Sequence, residues 1–236
     1  MYDARPGGFE WGVGTAISTT FSIVFGNFVS FIGLTLLIGV PTLLLTLWGA
    51  HEYLLLVADL VLGQVVTITL IYGTVQSLRG RPVGVGEGLS QGLGRLPAAL
   101  GVAILSGIGI VIGLVLLIVP GLYLATLWAV AVPVVVIERA GVGGSFSRSS
   151  ELTDGRRWRV FGAIVVMAII TAVATGIVSA AIGGVSGEGL TTSLILQWAV
   201  GAITQAFMSA LSGVLYYFLR RDKEGADIES IASVFD

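Results

Sequence analysis

The sequence predicts an all-α integral membrane bundle of six transmembrane helices. Composition gives the first reason. Of 236 residues, 55% are hydrophobic and only 11% are charged, whereas a soluble domain carries about 25% charged residues. The mean hydropathy is +0.98. A soluble core of this size has no room for so much apolar surface, so lipid must solvate much of it. The second reason is a set of apolar runs of spanning length. The third is the placement of the arginines, which fits an even number of crossings.

Met1–Glu10 is a short polar start. Residues 15–28 place Ile17, Phe21, Val24, Phe25 and Phe28 on one helical face. Thr15, Ser18, Thr19, Ser22 and Asn27 occupy the other. This pattern fits an interfacial amphipathic helix or the early turns of the first span. Phe28–Ala50 is uncharged and long enough to cross, with Pro41 expected to kink it. It is too long for a signal-peptide core and has no basic leader, so a retained span is expected. His51–Glu52 is a polar turn, and Tyr53–Leu78 is the second span. Val83–Leu96 is a Gly-rich candidate for a second interfacial helix, with Val85, Leu89, Leu93 and Leu96 on its apolar face.

Residues 97–137 form an uncharged stretch of 41 residues. As one helix it would be roughly 60 Å long, about twice the hydrocarbon thickness. It must turn once, and Pro120–Gly121 is the expected place. Pro133 is expected to kink the fourth span. Val160–Gly184 and Leu190–Leu219 supply the fifth and sixth spans, linked through Glu188. In the tail from Arg220, Ile228, Ile231 and Phe235 could share one helical face.

The twelve basic residues are Arg5, Arg79, Arg81, Arg95, Arg139, Arg148, Arg156, Arg157, Arg159, Arg220, Arg221 and Lys223. In a six-span topology all of them fall at the termini or in the second and fourth loops. The positive-inside rule then puts both termini in the cytoplasm. Trp48, Tyr53 and Tyr123 are expected at one membrane interface, and Tyr72, Trp158, Tyr216 and Tyr217 at the other.

Three segments align: Gly26–Gly33, Gly94–Gly101 and Gly155–Gly162. An apolar residue stands nine positions before the first glycine each time: Ile17, Val85 and Phe146. The expectation is a single membrane domain, 1–236, made of three parallel hairpin repeats over 15–82, 83–140 and 141–219, with a cytoplasmic tail over 220–236. Each copy would be an interfacial helix followed by two spans. Small residues recur every fourth position at Ala168, Ala172, Gly176 and Ala180. They do so again at Ser193, Gln197, Gly201, Gln205, Ser209 and Gly213, and Gly109 and Gly113 form a similar patch. Such stripes let helices approach closely, and packing within the chain is the preferred expectation over a dimer seam.

Candidate chemistry is sparse. Asp59 is the ionisable residue well inside a span, roughly 10 Å of helix rise beyond Glu52. With Gln64, Gln197 and Gln205 it forms the intramembrane polar set, and intramembrane carboxylates are functional suspects. The alternative is a carboxyl held protonated against Gln64 or a hydroxyl. His51 is the sole histidine, so no metal site of ordinary spacing is expected. There is no cysteine, no GxSxG nucleophile motif and no nucleotide-binding loop, and no cofactor or catalytic residue is assigned. Arg148, Arg156, Arg157, Trp158 and Arg159 form a lipid-phosphate-binding candidate, because forked guanidinium groups suit phosphate and an indole suits the interface. Topology anchoring alone explains them equally well. Glu138 and Arg148 bracket a loop and are expected to close it.

Val119–Leu124 (VPGLYL), Trp128, Pro133, Glu138 and the run from Arg148 to Arg159 resemble the membrane domain attached to some bacterial glycerophosphoryl diester phosphodiesterases. The sharp part of the likeness covers 119–162. The resemblance implies a multi-pass helical module of the bacterial inner membrane. The family's catalytic part is a separate soluble barrel, for which this chain has no spare length, so the activity is not carried over. The expected function is non-enzymatic: a lipid-headgroup-binding protein or a scaffold or accessory subunit of a membrane complex. The expected partners are phospholipids and a membrane protein or a second copy, with no nucleic acid. The alternative is a transporter of a lipid or small molecule with a polar path near Asp59.

Overall fold

The structure is a computed structural model and describes residues 11–81, 84–184 and 190–224. Arg5, Glu188, Ile228, Ile231 and Phe235 lie outside the described residues. The described residues form ten helices in order: α1 Val13–Gly26, α2 Phe28–Leu47, α3 Glu52–Leu78, α4 Val85–Leu93, α5 Leu96–Leu116, α6 Ile118–Leu127, α7 Ala131–Ile137, α8 Val142–Thr153, α9 Arg157–Gly184 and α10 Leu190–Glu224. No strand occurs among the described residues. Among the described residues, six helical stretches are long and apolar enough to cross a membrane, with α6 and α7 together forming the fourth.

The six-span bundle agrees with the hydropathy pattern, but two boundaries differ. The third and fourth spans meet at Leu117, whose φ −159° and ψ 142° break the helix, and not at Pro120–Gly121. Pro120 instead lies in the first turn of α6, where its missing N–H costs nothing. The hairpin closes this tightly because glycines face each other. A Cβ at Gly113 would stand 2.8 Å from the Gly121 Cα, and one at Gly109 would stand 2.5 Å from the Trp128 ring. The second difference is at the end of the chain: α10 continues past Leu219 to Glu224.

Proline acts differently in the first and fourth spans. Pro41 is accommodated inside α2. The fourth span breaks completely between α6 and α7, and Pro133 lies in the first turn of α7. Pro133 cannot donate to the Ala129 carbonyl, which accepts instead from Ser212 Oγ at 3.0 Å. The Leu127 carbonyl at the same break accepts from Ser149 Oγ at 2.8 Å. Buried carbonyls freed in an apolar medium need such partners.

The buried faces match the amphipathic expectation only in part: of the α1 apolar face, Val24 is buried and Ile17 and Phe21 pack on the core. On α1 the buried residues are Ala16, Thr20, Ile23 and Val24, while Phe25 is exposed. On α4 the buried positions are Gly88 and Gly92, and Leu93 is exposed. Gly92 fits because a Cβ there would stand 2.7 Å from Ile68 Cγ2. Between membrane helices small residues permit close approach, and large apolar side chains have no penalty for facing lipid.

The small-residue stripes divide in the same way. Gln205, Ser209 and Gly213 of α10 face α3: Gln205 Nε2 donates to the Gly63 carbonyl at 2.9 Å, Ser209 Oγ meets Thr67 Oγ1 at 3.5 Å, and Gly213 abuts Thr74. On α9, Ala168, Ala172, Gly176 and Ala180 are all exposed, so the packing expected within the chain does not occur there. The interface belts also need correction. Trp48, Tyr53 and Trp158 are exposed, but Tyr72, Tyr216 and Tyr217 are buried. The Tyr123 hydroxyl accepts from Arg157 at 2.7 Å, which places it near the arginines rather than at the opposite interface.

The hairpin contact generates a paired test. Gly113→Val forces a side chain against backbone and should lower stability by about 1–3 kcal/mol. Gly107→Val, where an added Cβ meets nothing within 4 Å, should leave it near wild type. Thermal unfolding of the two purified variants in detergent compares them, and equal losses would refute the close-approach account.

Candidate functional site

Two polar regions stand out: a charged cluster at the arginine-bearing end of the bundle, and a pair of cavities between spans.

The charged cluster begins at Glu138, the C-cap of α7. Its Oε2 accepts from Arg148 Nε of α8 at 3.0 Å, and its Oε1 from the Tyr216 hydroxyl of α10 at 3.0 Å. Arg148 also pairs with Glu224. Glu224 accepts from Arg220 Nε at 2.8 Å, and Arg220 Nη1 donates to the Tyr216 hydroxyl at 3.0 Å. The ring Glu138–Arg148–Glu224–Arg220–Tyr216 therefore closes on itself and joins α7, α8 and α10. Tyr216, Arg220 and Glu224 share one face of α10 because they are four residues apart.

The other sequence candidates are held nearby by separate partners. Arg156 donates to both oxygens of the nearly buried Asp222, at 2.8 and 3.3 Å. Arg157 bonds the Tyr123 hydroxyl, with its guanidinium 5.3 Å from that ring, and pairs with Asp154 at 3.2 Å. Arg159 donates to the Trp11 carbonyl at 3.1 Å. Arg95 donates to the Val136 carbonyl at 2.6 Å, and burial pushes its guanidinium below the usual arginine range. Trp158 alone of the five headgroup candidates makes no polar bond to protein among the described residues, and 85% of it is exposed. Gly155, at φ +72°, supplies the turn between α8 and α9 that presents these residues.

The cavities lie on two sides of α10. One, of about 340 Å³, is bounded by α2, α3 and α10 and lined by Thr35, Thr42, Asp59, Trp198 and Gln205 among others. The second, of about 430 Å³, lies between α9 and α10 and is lined by Thr175, Ser179, Gln197, Thr204 and Gln205. Gln205 and Gly201 line both. Asp59 thus shares a cavity with Gln205, and Gln197 shares the other. Gln64 lines neither, and its Oε1 is buried with no hydrogen-bond partner among the described residues. No group of three or more His, Cys, Asp or Glu able to hold a metal occurs among the described residues.

Sequence reasoning missed Tyr216, Asp222 and Glu224 as partners of the arginines, because they lay beyond the expected bundle or in an expected aromatic belt. The four-residue spacing of Tyr216, Arg220 and Glu224 was the available signal. Thr35, Thr42 and Trp198 carried none, since a lone threonine or tryptophan in a span is ordinary.

This fold and charged cluster define a class: a multi-pass, all-helical membrane domain. The chain belongs to the family described as the membrane domain of glycerophosphoryl diester phosphodiesterase, which matches residues 102–219. The match runs from α5 into α10 and includes Glu138, Arg148 and Tyr216. It is to the family's membrane part and not to a catalytic barrel. No curated protein and no solved structure matches the chain.

The closed ring predicts energetic coupling. Glu138→Gln removes the charge from two bonds and should destabilise the protein by about 2 kcal/mol, within the range for hydrogen bonds to charged groups. A double-mutant cycle with Arg148→Met, read by chemical or thermal unfolding, should give a coupling of about 1 kcal/mol or more. Additive losses would show that the ring contributes nothing as a unit.

Proposed function

We propose that this chain is a non-enzymatic scaffold or accessory subunit of a bacterial inner-membrane complex, and that it contacts its partner through α9. The observation carrying this reading is the unpartnered small-residue stripe Ala168, Ala172, Gly176 and Ala180, accompanied by an exposed Gln197 on the neighbouring α10 that bonds no other described residue. Exposed amides and close-approach stripes are what a second transmembrane helix packs against. The occupant we favour is a helix of a different membrane protein, and a second copy of this chain is the other outcome of the test. The locked charge cluster supports the reading, because it holds the helices that carry this surface in one arrangement.

Gly176→Leu tests it directly. A Cβ there meets nothing within 4 Å and the residue is exposed, so the isolated protein should keep its stability. Gentle-detergent purification from the native membrane should yield a stoichiometric partner with the wild type and lose it with the variant. A partner retained unchanged, or none with the wild type, would sink the proposal.

Both termini are proposed to face the cytoplasm, on the strength of the arginine distribution. The absence of cysteine makes the test clean. Ser147→Cys should react with a membrane-impermeant thiol reagent only from the cytoplasmic side, and His51→Cys only from the outside. The reverse pattern would invert the topology.

Headgroup binding is a narrower part of the proposal than the sequence suggested. Arg148, Arg156, Arg157 and Arg159 are engaged by protein groups, which leaves Trp158 with the exposed Arg81 and Arg139 as the lipid-contacting set. The alternative reading, transport, is favoured by one observation: Gln205 lines both cavities, so a polar lining continues from Asp59 across α10 to Gln197.

The three-repeat organisation is proposed on two grounds. The breaks between short helix and span fall at Gly26–Asn27, Gly94–Arg95 and Gly155–Arg156, the aligned first glycines. Each short helix also packs on the second span of another hairpin: α4 on α3, α8 on α7, and α1 on α10. The buried contact positions correspond, with Thr20, Gly88 and Ser149 in register and Val24, Gly92 and Thr153 one turn further on.

A further inference from the structure

We propose that the cavity between α2, α3 and α10 binds an ammonium group, with Asp59 as its counter-charge. Most hydrogen-bond donors around this cavity are already committed to backbone carbonyls. Thr42 Oγ1 donates to the Gly39 carbonyl at 2.8 Å, and Thr35 Oγ1 donates to the Phe31 carbonyl at 2.8 Å. Each hydroxyl has only one hydrogen, so both oxygens have only lone pairs left for a ligand. The Trp198 indole N–H is spent on the Gly39 carbonyl at 3.2 Å. Gln205 commits one amide hydrogen to the Gly63 carbonyl, which leaves its second amide hydrogen as the one side-chain N–H not yet committed and its Oε1 as a further acceptor. Asp59 adds two carboxylate oxygens and forms no ion pair among the described residues. The lining therefore holds a surplus of acceptors around a single negative charge.

That surplus selects a ligand rich in donors and positively charged. A primary ammonium offers three N–H groups and a full charge, and an indole wall favours an organic cation over a bare metal ion. The volume of about 340 Å³ exceeds what a desolvated metal ion needs, and no second carboxylate lines the cavity. Asp59 lies roughly 10 Å of helix rise from the start of α3, at a depth where an unpaired carboxylate is costly and a paired one is retained. The ammonium could come from a phosphatidylethanolamine headgroup or from a free amine in solution. The chemistry at Asp59 is the same for both.

The test uses the full chain in nanodiscs and amine-free buffer. Ethanolamine hydrochloride is titrated into phosphatidylglycerol nanodiscs against sodium chloride of equal ionic strength, with thermal stability as the readout. In parallel, native mass spectrometry measures which lipid is retained from mixed phosphatidylethanolamine and phosphatidylglycerol. A saturable stabilisation by ethanolamine alone supports the site and assigns a soluble amine. Selective retention of phosphatidylethanolamine supports it and assigns the lipid. Asp59→Asn should weaken either effect about tenfold or more, as expected for loss of a charge-assisted bond. If Asp59→Asn does not fold, Thr42→Val, which removes one acceptor at similar volume, should weaken binding several-fold on the hydrogen-bond scale. No response to either ammonium source, an equal response to sodium, or undiminished binding by the folded variants would overturn the proposal.

Discussion

Backbone carbonyls set free inside an apolar medium are the constraint on which this structure depends. An unsatisfied carbonyl costs several kcal/mol in hydrocarbon, and this chain breaks one span between α6 and α7. Carbonyls at that break, at the end of α7 and inside α2 and α3 accept from side chains elsewhere in the bundle. Ser212 reaches Ala129, Ser149 reaches Leu127, Arg95 reaches Val136, Trp198 reaches Gly39, and Gln205 reaches Gly63. Three of these five donors belong to α10, which also packs against α1, α2, α3, α7, α8 and α9. The last helix is therefore the element against which the others are positioned, and irregular backbone is tolerated where it can be served.

The charged end follows the same logic with stronger bonds. Four arginines near the start of α9 and on α8 would be expensive in a partly buried setting without partners. Glu138, Glu224 and Asp222 supply opposite charges, and tyrosine hydroxyls and the Trp11 carbonyl supply the remaining acceptors. Because Asp222 and Glu224 lie in the helical extension of α10 beyond its apolar segment, charge is added to the hydrophobic core in fastening the end of the last span near the start of the fifth. Pairs of this partly exposed kind contribute modestly one at a time, but a closed ring couples them.

The number, order and approximate limits of the spans were legible in the sequence because hydropathy reports directly on the solvent of each segment. The inward faces were legible only in part. At α1 the expected apolar face is inward only in part, since Val24 is buried and Ile17 and Phe21 pack on the core while Phe25 and Phe28 are exposed; at α4 the buried positions are Gly88 and Gly92, because lipid makes no distinction against leucine or phenylalanine and packing favours small residues. Leu117 gave no sign of being a turn, since nothing in its chemistry breaks a helix. The turn is set by Gly113 meeting Gly121 across the hairpin. The arginine cluster was readable as a cluster, and so was its Glu138–Arg148 pair, but Tyr216, Asp222 and Glu224 were not, because Tyr216 carried an equally good claim to a membrane interface and the two carboxylates lie past the expected end of the last span. Asp59 was visible as an anomaly in a span, whereas the orientation of the hydroxyls around it depends on carbonyls that only the folded chain reveals.

The turn at Leu117 has a consequence for the bilayer itself. From Gly107 to Gly121 no side chain carries a polar atom, and Val111, Val115, Leu116, Leu117, Ile118 and Val119 are exposed. A hairpin apex of this kind has nothing to hold it among headgroups or in water. Its depth is governed by where hydrocarbon ends, so the apex either stays beneath the lipid surface or draws that surface over itself. Mismatch of this sort costs fractions of a kcal/mol for each ångström, which makes the α5–α6 hairpin the part of the molecule that responds to membrane thickness.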